Sequence, residues 1–150
     1  MANEIAKILT KELNELKNSI LENLYRNDRV ASGKTAKSIR VEVQQKGELT
    51  IGRIYGSKVL DILEEGRGKT KNASTTRTWE QELRSWMRTR GISQDAFYPI
   101  WRKINRDGYE GTKGLISDPI EKFNKGIANT FSKFIVKSVR DGINRNTTTS

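Results

Sequence analysis

The sequence predicts an α+β domain: a long N-terminal helix, a small antiparallel hairpin or sheet, two short helices and a C-terminal helix. Three observations lead there. Apolar residues recur every three or four positions from Ile5 to Leu24. Apolar and polar residues alternate from Ser38 to Gln44. Beyond Thr78 the apolar residues fall back into helical spacing. A period near 3.6 marks a helix with one covered face, and a period of two marks a strand with one covered face.

The first helix is placed at residues 3–25. Ile5, Leu9, Leu13, Leu16, Ile20 and Leu24 form its stripe, widened by Ile8 and Leu21. Glu4, Lys7, Lys11, Glu12, Glu15 and Lys17 supply the polar faces. Asn27-Asp28 ends it with turn chemistry. Residues 29–37 connect, with Ser32-Gly33 as a breaker and a short helical turn at Thr35-Ala36-Lys37. Residues 38–44 form the first strand, Gln45-Lys46-Gly47-Glu48 the turn, and residues 49–54 the return strand, whose alternation breaks at Gly52. A lone hairpin is marginal in water, so this one should pack on the first helix or pair with another subunit.

Residues 54–69 organise the rest. The end of a strand becomes a short apolar segment, Val59, Leu60, Ile62 and Leu63. That segment carries the acid pair Glu64-Glu65 and closes on Gly66-Arg67-Gly68. An acid pair against Gly-Arg-Gly is no familiar catalytic constellation and reads as a place where subunits meet. Tyr55, Glu64, Glu65, Gly66, Arg67 and Gly68 are the candidates for such contacts. Residues 70–78 read as a mobile loop, rich in Ser, Thr, Asn and basic side chains.

Thr78 is placed as the cap of a helix from Trp79 to Arg90, with Glu80 and Glu82 where the helix dipole favours acids. Leu83, Trp86 and Met87 form its stripe, and Gly91 stops it. Ser93 or Asp95 starts the next helix, with Phe97, Ile100, Trp101 and Ile104 on one face and Gly108 after its last turn. Pro99 fits only in that helix's first turn. Trp79, Trp86 and Trp101 are expected to share a small core, in preference to forming a base-stacking surface. Residues 108–114 read as a glycine-rich loop. Ser117-Asp118-Pro119 opens the last helix, with proline at its first position. Ile120, Phe123, Ile127, Phe131, Phe134, Ile135 and Val139 form its stripe, and Gly142 is the expected stop. The expected organisation is one domain over 1–143, in which 115–143 docks on a neighbour, followed by a disordered tail over 144–150.

Composition narrows the function. Hydrophobic residues make up 34% of the 150 and charged residues 31%, so the core is modest and some apolar faces need a partner. There is no cysteine and no histidine. That excludes disulfides, thiolate zinc sites and histidine-based catalysis. No apolar run approaches the roughly 20 residues of a membrane span, and the N-terminus does not read as a signal peptide. The net charge is +10. Residues 1–65 carry 11 basic and 10 acidic side chains, 66–114 carry 11 and 5, and 115–150 carry 6 and 3. The excess in the middle favours an anionic partner, either nucleic acid or an acidic protein surface. Lys69, Lys71, Arg77, Arg84 and Arg88 are the candidates to face it; a solvated basic face is the plain alternative.

Two strings, Gly33-Lys34-Thr35 and Gly68-Lys69-Thr70, invite a phosphate-loop reading. The loop needs a further glycine five positions before the second one. Asp28 and Leu63 stand there, so both are rejected. Asp61, Glu64 and Glu65 are the only acids close enough in sequence to suggest magnesium-dependent nuclease chemistry, and nothing nearby orients a nucleophile. No enzyme, cofactor or metal is expected.

The order of the segments carries a resemblance. Gly33-Lys34-Thr35-Ala36-Lys37-Ser38-Ile39-Arg40-Val41 resembles the Gly-x-Leu-x-x-Ser-Ile segment of tailed-bacteriophage head–tail connector and tail-completion proteins. Tyr55-Gly56 through Leu63-Glu64-Glu65-Gly66-Arg67-Gly68 is similar to that family's tyrosine, then glutamate-glycine-arginine-glycine, segment. The string from Leu83 to Ile92 resembles its tryptophan helix ending in a basic residue, glycine and isoleucine. Tyr98 to Gly108 resembles its arginine, isoleucine, basic, glycine helix. The match runs in order over about residues 1–125. It departs at Thr35-Ala36, where a leucine is common, and at Lys69-Thr70-Lys71, where prolines often follow.

The resemblance implies a homo-oligomeric ring in the virion, at the portal vertex or upper tail. Portal, adaptor or tail-tube proteins would lie above and below it, with DNA in the channel, and the chain would be made in the host bacterial cytoplasm. Glu64 and Arg67 are the first candidates for contacts between its subunits. A free basic DNA-binding protein is the alternative, and a metal-dependent nuclease comes third.

Overall fold

A computed structural model describes residues 2–29, 33–68 and 77–147, with the side chains of residues 2 and 77–79 left aside. The order is α1 (Ala2–Arg26), α2 (Lys34–Ser38), β1 (Arg40–Lys46), β2 (Leu49–Tyr55), α3 (Val59–Glu65), β3 (Gly66–Arg67), α4 (Arg77–Thr89), a 3₁₀ turn (Gln94–Ala96), α5 (Phe97–Asp107), β4 (Tyr109–Glu110) and α6 (Ser117–Thr147). The predicted α+β architecture is the one found, with the long helix at each end and the hairpin between.

Helix α1 is the spine. Its stripe buries Leu13, Leu16, Ile20 and Leu24, and each contributes about 1.5–3 kcal/mol by leaving water. Asp28 ends the helix in the left-handed region at φ 58°. Its amide donates to the Tyr25 carbonyl (3.1 Å) and the Arg29 amide to the Leu24 carbonyl (2.8 Å), the paired bonds of a Schellman stop.

The hairpin lies on α1. Val41 faces Ile54 and Val43 faces Gly52 across the ladder. Val41, Val43 and Ile54 turn toward the α1 core. The break in alternation has a packing reason. A Cβ on Gly52 would stand 2.6 Å from Leu13 Cδ1 and 2.8 Å from Leu9 Cδ2, so the bare backbone is what lets helix and sheet touch. The strands are shifted from expectation. Ser38 belongs to α2 and not to the strand, and its hydroxyl joins the Thr35 carbonyl (2.6 Å) to the Ser57 amide (3.0 Å). Gln45 and Lys46 are strand and not turn, so the turn is Gly47-Glu48 alone.

A second core lies apart from the first. Leu83, Met87 and Phe97 are its buried centre, with Trp86, Ile100, Trp101 and Ile104 against it. Trp86 and Trp101 therefore share a core as expected, while the side chain of Trp79 lies outside the described residues. Helix α4 starts at Arg77, so Thr78 is its second residue and not its cap. Pro99 is the third residue of α5, inside the first turn.

Two further expectations are corrected. Residues 108–114 are not wholly loop: Tyr109-Glu110 pairs antiparallel with Gly66-Arg67. Helix α6 does not stop at Gly142 but runs to Thr147, so 144–147 are helical and not tail. One glycine costs a helix only about 1 kcal/mol, too little to end an otherwise continuous one. Pro119 is its third residue and is buried. The proposed tail's last residues, 148–150, lie outside the described residues, as does most of the proposed 70–78 loop.

Candidate interaction surface

The segment from Leu63 to Gly68 joins three helices. Helices α3 and α5 each end on a glycine in an extended conformation with positive φ: Gly66 at φ 83°, ψ −173° and Gly108 at φ 81°, ψ −170°. Only glycine occupies that region readily. The two-residue strands that follow then pair, Gly66 with Glu110 and Arg67 with Tyr109. The backbones lie so close that a Cβ on Gly66 would overlap the Tyr109 carbonyl, and one on Gly108 the Arg67 carbonyl. Thr112 closes the join, its amide donating to the Leu63 carbonyl at 2.8 Å.

Glu64 is taken up inside its own chain. Its Oε2 accepts from the amides of Ile116 (2.5 Å) and Ser117 (2.9 Å), capping the start of α6. Those amides have no partner within the helix, and a carboxylate there also meets the positive end of the dipole. Partial burial pushes the carboxyl pKa up; the Ser117 hydroxyl and the two amides outweigh it and hold the net value below the ordinary glutamate range.

A polar cluster the sequence did not suggest fastens the end of α1. Arg29 Nε donates to Thr112 Oγ1 at 2.9 Å, and its guanidinium also donates to the Tyr109 hydroxyl. Burial raises the Tyr109 pKa, partly opposed by the positive charges of Arg29 and Arg90. Arg90 binds Asp28 twice, at the carboxylate and at the carbonyl, both at 2.6 Å. These partners lie 62 to 83 positions apart, so no local pattern signals them.

The predicted contact residues separate. Glu65, Arg67 and Gly68 are exposed. Tyr55 is 36% exposed on the outer face of the hairpin, with the Arg40 guanidinium 4.6 Å from its ring centre. Gly66 and Glu64 serve the internal join. Of the basic candidates, Arg84 is occupied: it pairs with Glu80 at 2.9 Å and lies 4.0 Å over the Phe97 ring. Arg88 is exposed, as are Arg102 and Lys103 on α5. Lys69, Lys71 and the Arg77 side chain lie outside the described residues.

Two uncovered apolar faces accompany them. On α3, Val59 and Ile62 are 41% and 43% exposed. On the distal half of α6, Ile135, Val136, Val139 and Ile143 are 53–60% exposed. The sequence stripe includes Ile135 and Val139 and omits Val136, and Ile143 lies beyond the stop expected at Gly142. Shallow hollows of about 550 and 350 Å³ lie on α1 around Leu21 and Tyr25.

Among the described residues no group of three or more acids is placed to hold a metal ion. Asp61 and Glu65 are exposed, and Glu64 is committed to its cap. No described helix is long and apolar enough to cross a membrane. No family model, curated protein or solved structure matches the chain.

Proposed function

We propose that this chain is a structural subunit of a ring at the head–tail connector or upper tail of a tailed bacteriophage. The observation that carries the assembly part is the pair of uncovered apolar faces, on α3 and on distal α6. Large exposed apolar surface is the mark of an interaction site. The phage assignment rests on the ordered resemblance of four segments spread over about residues 1–125. Ring partners would be further copies of this chain, with portal, adaptor or tail-tube proteins at the two rims and DNA in the channel.

Copy number in purified particles, by quantitative mass spectrometry against the major capsid protein, tests this. A small fixed number matching one or two rings is expected. Absence from particles, with abundant chain in the infected lysate, would sink the reading. It would move a free DNA-binding protein to first place, for which the exposed Arg88, Arg102 and Lys103 speak. Binding through several phosphates would then weaken steeply with salt.

A further inference from the structure

We infer that the subunits join head to tail, the distal half of α6 of one copy lying on α3 of the next. This names the contact of the ring proposed above and rests on that reading.

The two faces are complementary in both apolar character and charge. Each residue of an α-helix turns about 100° from the last. On α3 this gives one continuous exposed arc: Val59, then Ile62, then Glu65 and Asp61. One side is apolar and the other acidic. On α6 the exposed arc runs Ile135, Val139 and Ile143, then Arg140, Lys133 and Lys137. One side is apolar and the other basic. Apolar against apolar then sets acid against base. Each arc has one charge of the wrong sign: Lys58, which precedes α3 and falls between Ile62 and Glu65, and Asp141, which lies beyond Lys137 at the edge of the basic side.

A chain cannot satisfy this contact with itself. Glu64, at the end of α3, is hydrogen-bonded to the first amides of α6. Val139 lies 22 residues further along an unbroken helix, about 33 Å away at 1.5 Å per residue. Nor does α1 cover the whole of α6. The Leu115 carbonyl, just before α6, accepts from Asn23 near the far end of α1 (3.2 Å). Laid back along α1 from there, α6 still outruns it by roughly ten residues. Two different patches that fit each other but sit at opposite ends of a rigid arm make a heterologous contact. Such contacts close into rings when the rotation between neighbours allows it.

The test uses two variants of the full chain, each altered only at exposed positions. One carries Val59→Glu with Ile62→Glu, and the other Ile135→Glu with Val139→Glu. Sedimentation velocity over a concentration series is the readout, with circular dichroism to check folding. The wild type should self-associate, and each variant alone should sediment as one chain. Mixed one to one, they should form a two-chain complex, because only one intact contact can be assembled from the pair. If either variant lost helix content, Asp61→Lys with Glu65→Lys would replace the first and Lys137→Glu with Arg140→Glu the second. These charge reversals should weaken association singly and restore it together. A wild type that stays monomeric to its solubility limit, or an α3 variant that assembles like wild type, would overturn the inference. Unchanged assembly of the α3 variant beside a fixed copy number in particles removes this contact and leaves the ring. Absence from particles with the mixing result intact does the reverse.

Discussion

Glu64 shows how one side chain can bind distant parts of the chain. Its carboxylate satisfies two amides that α6 cannot satisfy itself, and so ties α3 to the start of the longest helix. Glu64→Gln keeps an acceptor but loses the charge, and should lower stability by about 1 kcal/mol at neutral pH, within the range for lost helix caps. The pH dependence has a definite sign. The folded pKa lies below the unfolded one, near the ordinary glutamate value of about 4.3. The ionised carboxylate's contribution is therefore complete above the unfolded value and is lost as pH falls through the lowered folded value. Urea denaturation from pH 7 to pH 3 should show the wild type and Glu64→Gln converging at the acid end. A constant gap down to pH 3 would mean that the charge at Glu64 is immaterial.

At the scale of elements, the two-residue ladder between β3 and β4 is held by backbone geometry more than by side chains. Gly66 and Gly108 adopt a conformation that costs other residues about 1–3 kcal/mol, and an added Cβ on either would also strike the opposite strand. Gly66→Ala should therefore cost about 3 kcal/mol or more, measured by chemical denaturation, whereas Gly68→Ala, where a Cβ meets nothing within 4 Å, should be nearly neutral. Equal effects would show that the ladder is not the constraint. The contrast also explains what the sequence could disclose. The stripe of α1 and the alternation of β1 repeat over many residues, so periodicity exposes them. Gly66-Arg67 and Tyr109-Glu110 are two residues each and 43 positions apart, too short to carry a period. Gly-Arg-Gly stands out in the sequence and suggests contacts between subunits. Gly66 serves the chain's own join, and only the exposed Glu65, Arg67 and Gly68 remain facing outward. The hydrogen bonds of Arg29 and Arg90 depend on tertiary placement that no window of sequence contains.

Among the described residues the molecule has two cores with a polar join, and none of those residues is shared between the cluster around α1 and the cluster around Met87 and Phe97. What connects them includes Arg90 with Asp28 and Lys34 with Glu82 at 3.5 Å, ion pairs with at least one exposed partner. Such pairs contribute roughly 0–1 kcal/mol each, far less than either core. The α4–α5 part should therefore open at lower free energy than α1 and its hairpin, as units joined by few apolar contacts do. Met87→Ala removes a fully buried side chain from the smaller core and should cost about 2–5 kcal/mol there. Native-state hydrogen exchange should then show amide protection falling over residues 77–107, with that of α1 and the hairpin largely kept. An equal loss everywhere would mean that the polar join makes one cooperative unit. Selective loss would mean that Arg88, Arg102 and Lys103 ride on a part able to shift against the α1–α6 frame. In the ring proposed above, such a subunit would keep the inferred contacts through α3 and α6 while Arg88, Arg102 and Lys103 adjust to whatever passes along or borders the proposed channel.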